Sequence, residues 1–513
     1  MPKLTIDGQD IEVAKGENLI QAARHIGREI PHFCYHEKLS IAANCRMCLV
    51  EIEKNPKLQP ACQQLAADGM VVHTQSPKAI EARAAVMEFL LVNHPLDCPI
   101  CDKAGECKLQ DYYMEDDARH SRQSEAKTQK PRLEVLGPLV NYNAERCIMC
   151  TRCVRFMDEI PKHSQLGVFG RGDRNIIGVF EGQPLDDPYS LNVVELCPVG
   201  ALGNLDFRFH SRVWQLGKTN TVCGGCAKGC NTEVHHKNGV LYRMVPRQND
   251  AVNSTWMCDE GRLSYHANND HRALESYAAG QPTTSVDALT KARAFWDTVK
   301  AKGGADLVVY LSPMLTSEEA FMWLSAIKSN APKAVLYVSG NPDGVGDDLL
   351  RRADKNGNRR GVNAIAAALG MKLQPFNAKP SQGMALLLGT QLPGALSLPA
   401  NALVIGSHLT AEFLMASVAL PLATHFEQSG SYVNEDGRVQ RLRPTHEPMK
   451  HAHTAWGWLT LLGEASVENA DTVFAELAAN LKDFAGMTLL GLGQAGKMPA
   501  VSVQANQTGG AQA

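Results

Sequence analysis

The sequence contains no stretch of the roughly 18 uninterrupted apolar residues that a membrane-spanning helix needs. Its most apolar region, 383–423, is broken by Gln391, Pro393, Pro399, Asn401, His408 and Glu412, which is the pattern of buried strands and helices. Contact with a membrane is therefore expected only through partner subunits. The opening residues, Met1 to Gly8, hold no apolar core of signal-peptide length, so secretion is not expected. The net charge of −3 and the lack of aromatics interleaved with basic stretches argue against nucleic acid as a partner. No nucleophile–base pair or phosphate loop stands out, so bond-making chemistry is not expected. Cysteine is missing entirely after position 258.

Before that position cysteine is abundant. The chain has 513 residues, 44% apolar and 20% charged, an ordinary soluble composition too long for one core. Its fifteen cysteines all lie between 34 and 258. An odd number cannot be used up by disulfides, and a reducing cytosol opposes them. With His94, four residues before Cys98, the potential ligands become sixteen, which divide into four groups of four.

The first group is Cys34, Cys45, Cys48 and Cys62. Residues 3–14 before it alternate apolar and polar around Asp7-Gly8, the signal of a hairpin. One close Cys-x2-Cys pair with two distant cysteines suits a [2Fe–2S] cluster, which needs two thiolates per iron. Ten residues separate Cys34 from Cys45, where plant-type ferredoxins have about four. Four thiolates can also hold a structural zinc, although zinc sites usually use two such pairs. The second group is His94, Cys98, Cys101 and Cys107. The helical pattern of 78–93 ends before Pro95, and His94 is the only nearby candidate to complete three close cysteines. An imidazole in place of a thiolate leaves a [4Fe–4S] cluster less negative and easier to reduce.

The third group is Cys147, Cys150 and Cys153, closed by Cys197 before Pro198. Three thiolates within seven residues wrap three corners of a cubane, an arrangement rare for zinc. The fourth group is Cys223, Cys226, Cys230 and Cys258, with Gly224, Gly225 and Gly229 permitting close backbone approach. Its spacing is cubane-like, with zinc again the alternative. Thr232–Val245, between its third and fourth cysteines, reads as a hairpin turning at Asn238-Gly239. Arg46, Arg152, Arg155 and Lys228 stand beside these ligands, either offsetting cluster charge or simply solvated.

After residue 270 the composition changes. Apolar runs at Asp306–Leu311, Ala334–Val338 and Ala402–Ile405 alternate with helical patterns such as Ser317–Lys328, which predicts a parallel sheet covered on both faces. Gly491-Leu-Gly-Gln-Ala-Gly496 spells a dinucleotide fingerprint, but too little chain follows for a further helix, strand and acidic residue. No nucleotide site is assigned there.

In this order the motifs resemble one family, the large iron–sulfur subunit of bacterial respiratory complex I, the proton-pumping NADH:quinone oxidoreductase. The resemblance is carried by Asn44-Cys-Arg-Met-Cys-Leu-Val-Glu51, His94-Pro-Leu-Asp-Cys-Pro-Ile-Cys101 and Gly105-Glu-Cys-Lys-Leu-Gln-Asp111. It implies a multidomain α+β and α/β chain with six segments. These are a β-grasp 2Fe–2S ferredoxin domain at 1–78, a 4Fe–4S domain with one histidine and three cysteine ligands at 79–118, and a ferredoxin-like 4Fe–4S domain at 119–215. A 4Fe–4S domain of the type preceding molybdopterin domains follows at 216–272, then a truncated, vestigial molybdopterin-oxidoreductase-like α/β domain at 273–500 and a disordered tail at 501–513. Gly430–Val439 looks like a landmark loop of the molybdopterin fold. The resemblance further implies one [2Fe–2S] and three [4Fe–4S] clusters, no molybdenum cofactor, and no NADH or quinone site on this chain. The implied partners are a flavin subunit that oxidises NADH and other peripheral-arm subunits. The implied location is cytoplasmic, against the inner face of the bacterial plasma membrane. The fourth cluster of the family is usually regarded as lying off the main electron path. A formate dehydrogenase subunit shares the cluster series but should carry a molybdenum ligand, and an iron-only hydrogenase needs cysteines that are absent.

Overall fold

The computed structural model describes residues 1–117, 121–378, 383–389 and 391–499. The tail expected at 501–513 lies outside the described residues. The chain divides after Leu216 into two compact units.

The first unit begins with β1 (Lys3–Ile6) and β2 (Gln9–Glu12), an antiparallel hairpin. Asp7 and Gly8 both have positive φ, 48° and 80°, which gives a turn twisted like the strands it joins. After α1 (Leu19–Arg24), capped by Asn18, come β3 (Leu49–Ile52), β4 (Gln59–Pro60) and β5 (Val71–His73). The sheet order is β2-β1-β5-β3-β4, with β1 and β5 parallel and the other pairs antiparallel. Leu4, Ile6, Val50 and Val72 point inward against Leu19, Ile20 and Ala23 of α1. The expected helix at 78–93 is α2 (Pro77–Leu91), with Ser76 as N-cap and Pro77 in the first turn. It stops short of Pro95, whose ring disfavours helical backbone before it. The rest of the unit is loops and short elements.

The second unit opens with the three-stranded antiparallel sheet Gly217–Val222, Asn231–Lys237 and Val240–Pro246. Its second turn is at Asn238-Gly239, with φ of 53° and 79°, as the sequence predicts. Next comes an eight-stranded sheet whose core is parallel. Val418–Pro421, Asn401–Gly406, Met384–Leu388, Leu307–Leu311, Val335–Val338 and Gln374–Pro375 run side by side in that order, all parallel. The purely parallel expectation fails at one edge. There the hairpin Ser276–Ala278 and Gln281–Thr283 adds two strands, the inner one antiparallel to its neighbour Val418–Pro421.

Both faces of this sheet are covered, and alternate residues show it. Leu307, Val309, Leu311, Leu386, Leu388, Leu403 and Ile405 pack against the helices Ser285–Ala301, Ser317–Asn330, Arg359–Ala368, Ala455–Leu462 and Ala470–Asn480. Tyr310, Ala385, Leu387, Ala402 and Val404 face the other way, toward Ala273 and Phe413. The hairpin Gly430–Val433 with Val439–Leu442 occupies the predicted landmark loop.

The dinucleotide-like motif is no phosphate loop. Leu490–Leu492 is a single 3-10 turn rather than the end of a strand. A Cβ on Gly496 would lie 2.6 Å from the Val439 carbonyl, so this glycine serves close docking onto the hairpin.

Candidate metal centres

All fifteen cysteines are free of disulfides. In the first group, Cys48 immediately precedes β3 and Cys62 closely follows β4. Ala61 N–H donates to the Cys48 carbonyl at 2.9 Å, so sheet pairing fixes both thiols. The other two lie on loops. Positive φ at Ala43 and Arg46, 49° and 62°, folds the chain tightly around Cys45, whose sulfur accepts from Cys34 N–H at 3.4 Å. Cys34 contacts Cys45 and Cys62, and Cys48 contacts Cys62. The Cys45 and Cys62 thiols beside Cys34 hold it far below the usual range, while Cys62 is pushed upward by its contacts with Cys34 and Cys48. Packed thiols cannot all ionise unless a cation joins them.

The second group lies along a turn and two helix ends. His94 follows α2, Cys98 begins the turn Cys98–Ile100, and Cys107 caps the helix Lys108–Tyr112. All four potential ligands line one cavity of about 550 Å³ with apolar Leu91, Leu96 and Leu109. Burial pushes His94 down to about 4, which leaves its imidazole neutral at pH 7 with a lone pair to share. Burial likewise raises Cys107 to about 11.

The third group is wound by alternating handedness. Met149 and Thr151 have φ of 52° and 59°, which turns Cys147, Cys150 and Cys153 to a common side before the helix Arg152–Glu159. Cys197 ends the helix Asn192–Leu196. The four cysteines share one cavity with Tyr142 and Ile177. Desolvation raises Cys150 to about 12, with the Cys197 thiol adding to the effect.

In the fourth group Cys223 and Cys230 stand close together, with Cys223 N–H donating to the Cys230 carbonyl at 2.8 Å beside the paired strands Gly217–Val222 and Asn231–Lys237. Gly225 N–H reaches Cys223 Sγ at 3.4 Å and Gly261 N–H reaches Cys258 Sγ at 3.3 Å. A Cβ on Gly261 would stand 3.1 Å and 3.3 Å from the Cys223 and Cys258 sulfurs, so a side chain there would push these thiols outward by a few tenths of an ångström. All four thiols are buried, and desolvation raises Cys258 to about 11.

Among the described residues no three His, Cys, Asp or Glu side chains close around a single metal ion. The donor sets suit polynuclear cations: soft sulfur ligands, most of them buried, among which burial holds Cys107, Cys150 and Cys258 above the ordinary thiol range until a metal displaces the proton.

The flanking cations differ. Arg46 is exposed and reaches only the Ala43 carbonyl, so its charge is solvated. Arg152 is half-buried near Cys150, Cys34 and Cys45, and desolvation lowers its guanidinium from the ordinary value. Arg155 Nη2 donates to the carbonyls of Cys34 at 2.6 Å and Cys150 at 3.2 Å. Lys228 faces Glu435 at 3.8 Å and Asp436 at 3.5 Å.

Within the first unit the third group touches both others. Asn44 Nδ2 donates to the Met149 carbonyl at 3.1 Å, alongside the Arg155 bridge to the first group. On its other side Lys108 N–H donates to the Pro198 carbonyl at 3.1 Å, and Arg146 grips Asp97 at 2.7 Å. A Cβ on Gly200 would fall 2.1 Å from Cys101 Sγ. Sequence reading missed Tyr142, Gly200 and Gly261. Gly200, three residues after Cys197, and Gly261, three after Cys258, were the available signals.

Thiols gathered in four sets, most of them buried although Cys98 is exposed, on small ferredoxin-like and antiparallel scaffolds define an iron–sulfur protein. Comparison with known families agrees. Family models match residues 2–77 as a 2Fe-2S iron-sulfur cluster binding domain and residues 83–122 as an NADH-ubiquinone oxidoreductase-G iron-sulfur binding region. Residues 137–203 match the ferredoxin-like domain of NADH-quinone oxidoreductase subunit 3, and residues 216–266 the NDSU1/NuoG-like 4Fe-4S domain. The chain is 40% identical over 325 residues to the NADH-quinone oxidoreductase G subunit of Rickettsia bellii, covering 63% of this chain and 47% of the relative. It is 36% identical over 375 residues to the mitochondrial NADH dehydrogenase [ubiquinone] iron-sulfur protein 1 of Solanum tuberosum, covering 72% of this chain and 50% of that one. A solved NAD+-reducing [NiFe]-hydrogenase is similar at 28% identity and a TM-score of 0.38, over 41% of this chain and 91% of that one. The iron–sulfur half of the chain is similar to NADH-quinone oxidoreductase G subunits. The chain spans about half the length of the curated relatives it matches.

Proposed function

We propose that this chain is the iron–sulfur relay of an NADH:quinone oxidoreductase, passing electrons from a flavin subunit toward quinone. Cys34, Cys45, Cys48 and Cys62 hold a [2Fe–2S] cluster. His94, Cys98, Cys101 and Cys107 hold a [4Fe–4S] cluster, as do Cys147, Cys150, Cys153 and Cys197, and Cys223, Cys226, Cys230 and Cys258. The six segments set out from the sequence are the domains of this reading. The chain's partners are the flavin subunit and its neighbours in a peripheral arm at the cytoplasmic face of the membrane. Among the described residues no helix is long and apolar enough to cross a membrane.

One observation carries the relay reading: the third group interlocks with the first through Arg155 and Asn44, and with the second through Pro198 and Gly200. The electron path is therefore binuclear cluster, third-group cubane, then the histidine-ligated cubane, which departs from sequence order. When present, the clusters carry one electron at a time. The chain's residues fix their separation, exclude water and donate hydrogen bonds to sulfur. Residues 273–500 act as scaffold in this reading. The cavity of about 440 Å³ beside Gly224 and Gly225 has, among the described residues, no lysine or arginine in its walls to hold a cofactor phosphate. The relatives are named for NADH oxidation, and none of those reported supports a formate dehydrogenase.

Substitution His94→Cys tests the ligand assignment. A thiolate adds negative charge to the second cluster, so the cluster is retained and its midpoint potential falls. An unchanged potential would show that His94 is not a ligand.

A further inference from the structure

Tyr142 ends the strand Val140–Tyr142 and pairs with Leu202 on one neighbouring strand and Glu134 on the other. Its side chain is fully buried, with 0% of its surface exposed. A buried phenol must place both its lone pair and its proton. The oxygen accepts Ile177 N–H at 3.1 Å, which satisfies it as an acceptor. Among the described residues no oxygen or nitrogen receives the hydroxyl proton. The ring lies in the wall of the third-group cavity, whose lining apart from the four cysteines is largely aliphatic, with Arg152 and Thr151 as the exceptions. Arg152 offers only donors, and Cys147 lines the same cavity as the Tyr142 ring.

We infer that Tyr142 donates an O–H···S hydrogen bond to Cys147 and thereby raises the reduction potential of the third cubane. The inference rests on the cluster assignment above and adds a tuning residue to it. One-electron reduction makes the cluster and its thiolates more negative, and a hydrogen-bond donor at sulfur stabilises the reduced form more than the oxidised one. The proton stays on Tyr142 throughout, and only the electron moves. The Ile177 N–H holds the phenol oxygen in place, so the donor is aimed before the electron arrives. A raised potential at this position suits the cubane that stands between the other two, because it draws the electron inward from the binuclear cluster.

The test is a redox titration of the full chain in its complex, followed by EPR, on the cubane signal that is lost in Cys153→Ala. Tyr142→Phe removes the donor and keeps the ring, so this potential falls while those of the other clusters stay in place. Incorporating 3-fluorotyrosine at position 142 makes the phenol a stronger donor, so the potential rises. Opposite shifts are the expected result, since loosened packing would not reverse sign with donor strength. An unshifted potential in a Tyr142→Phe protein of full iron content would overturn the inference, as would shifts of the same sign in both variants. If Tyr142→Phe fails to assemble the cluster, the fluorotyrosine protein decides alone: a rise supports the inference and no shift overturns it. Absence of any cubane signal in the unsubstituted protein would instead defeat the cluster assignment.

Discussion

Glu318 is a carboxylate in a place that does not welcome charge. It lies in the first turn of the helix Ser317–Asn330, fully buried, and accepts from Ser431 N–H at 2.8 Å and Ser431 O–H at 2.9 Å. Those donors and the helix N-terminus favour the anion, but desolvation wins and pushes the group up to about 7. Burial raises neighbouring Glu319 as well. A carboxyl raised on folding binds more protons in the folded than in the unfolded state. Its stabilising contribution is thus complete below the ordinary value of 4.5 and fades as pH rises toward 7. For Glu318 the loss is on the order of 3 kcal/mol. Glu318→Gln keeps the shape and cannot ionise, so denaturant unfolding of this variant should lose less stability over that interval than the parent. Parallel pH profiles would contradict the assignment of Glu318 as the titrating group.

At the scale of elements, what the sequence disclosed and what it hid separate along physical lines. The hairpins at Asp7-Gly8 and Asn238-Gly239 were legible because two consecutive positive φ values admit few residue pairs. The helix at 317 was legible from its apolar spacing and is anchored by the capping box of Thr316 and Glu319. The four cysteine groups were readable from local spacing, and the structure places the second and third each around one cavity. The antiparallel edge strands, the order of the large sheet and the central place of the third group were hidden, because long-range pairing sets them. Gly430–Val433 and Val439–Leu442 looked like a landmark, yet nothing in their sequence shows that they clamp the fourth group. In the fold, Glu435 N–H donates to the Ala227 carbonyl at 2.8 Å and Gln440 Nε2 to the Gly229 carbonyl at 2.9 Å. Gln440 Oε1 accepts Asn231 Nδ2 at 2.6 Å. Gln440→Ala orphans two buried partners at about 1–3 kcal/mol each. The expected outcome is a lower unfolding midpoint for the second unit and faster iron loss from the fourth cluster. Unchanged iron retention would mean that the hairpin does not hold that site.

Across the whole molecule, the proposed function has one half carrying electrons and the other supporting the fourth cluster on an α/β scaffold. The carrying half is held together by its own loops: Arg155 reaches the carbonyl of Cys34 and Arg152 that of neighbouring Tyr35, and Arg146 bonds Asp97 beside the second group. Arg152 and Arg155 bond to carbonyls rather than stand alone as charges, so in the proposed function they fix cluster spacing as well as offset cluster charge. Motif spacing suggests the ligands proposed for each site but holds no information on which sites become neighbours. The most direct test of the central claim is the content of iron, acid-labile sulfide, zinc and molybdenum per chain, measured on protein isolated without oxygen. One binuclear and three cubane clusters require about 14 iron and about 14 sulfide, with neither zinc nor molybdenum. Stoichiometric zinc with correspondingly less iron would contradict the four-cluster account and reduce at least one of the thiol groups to structure.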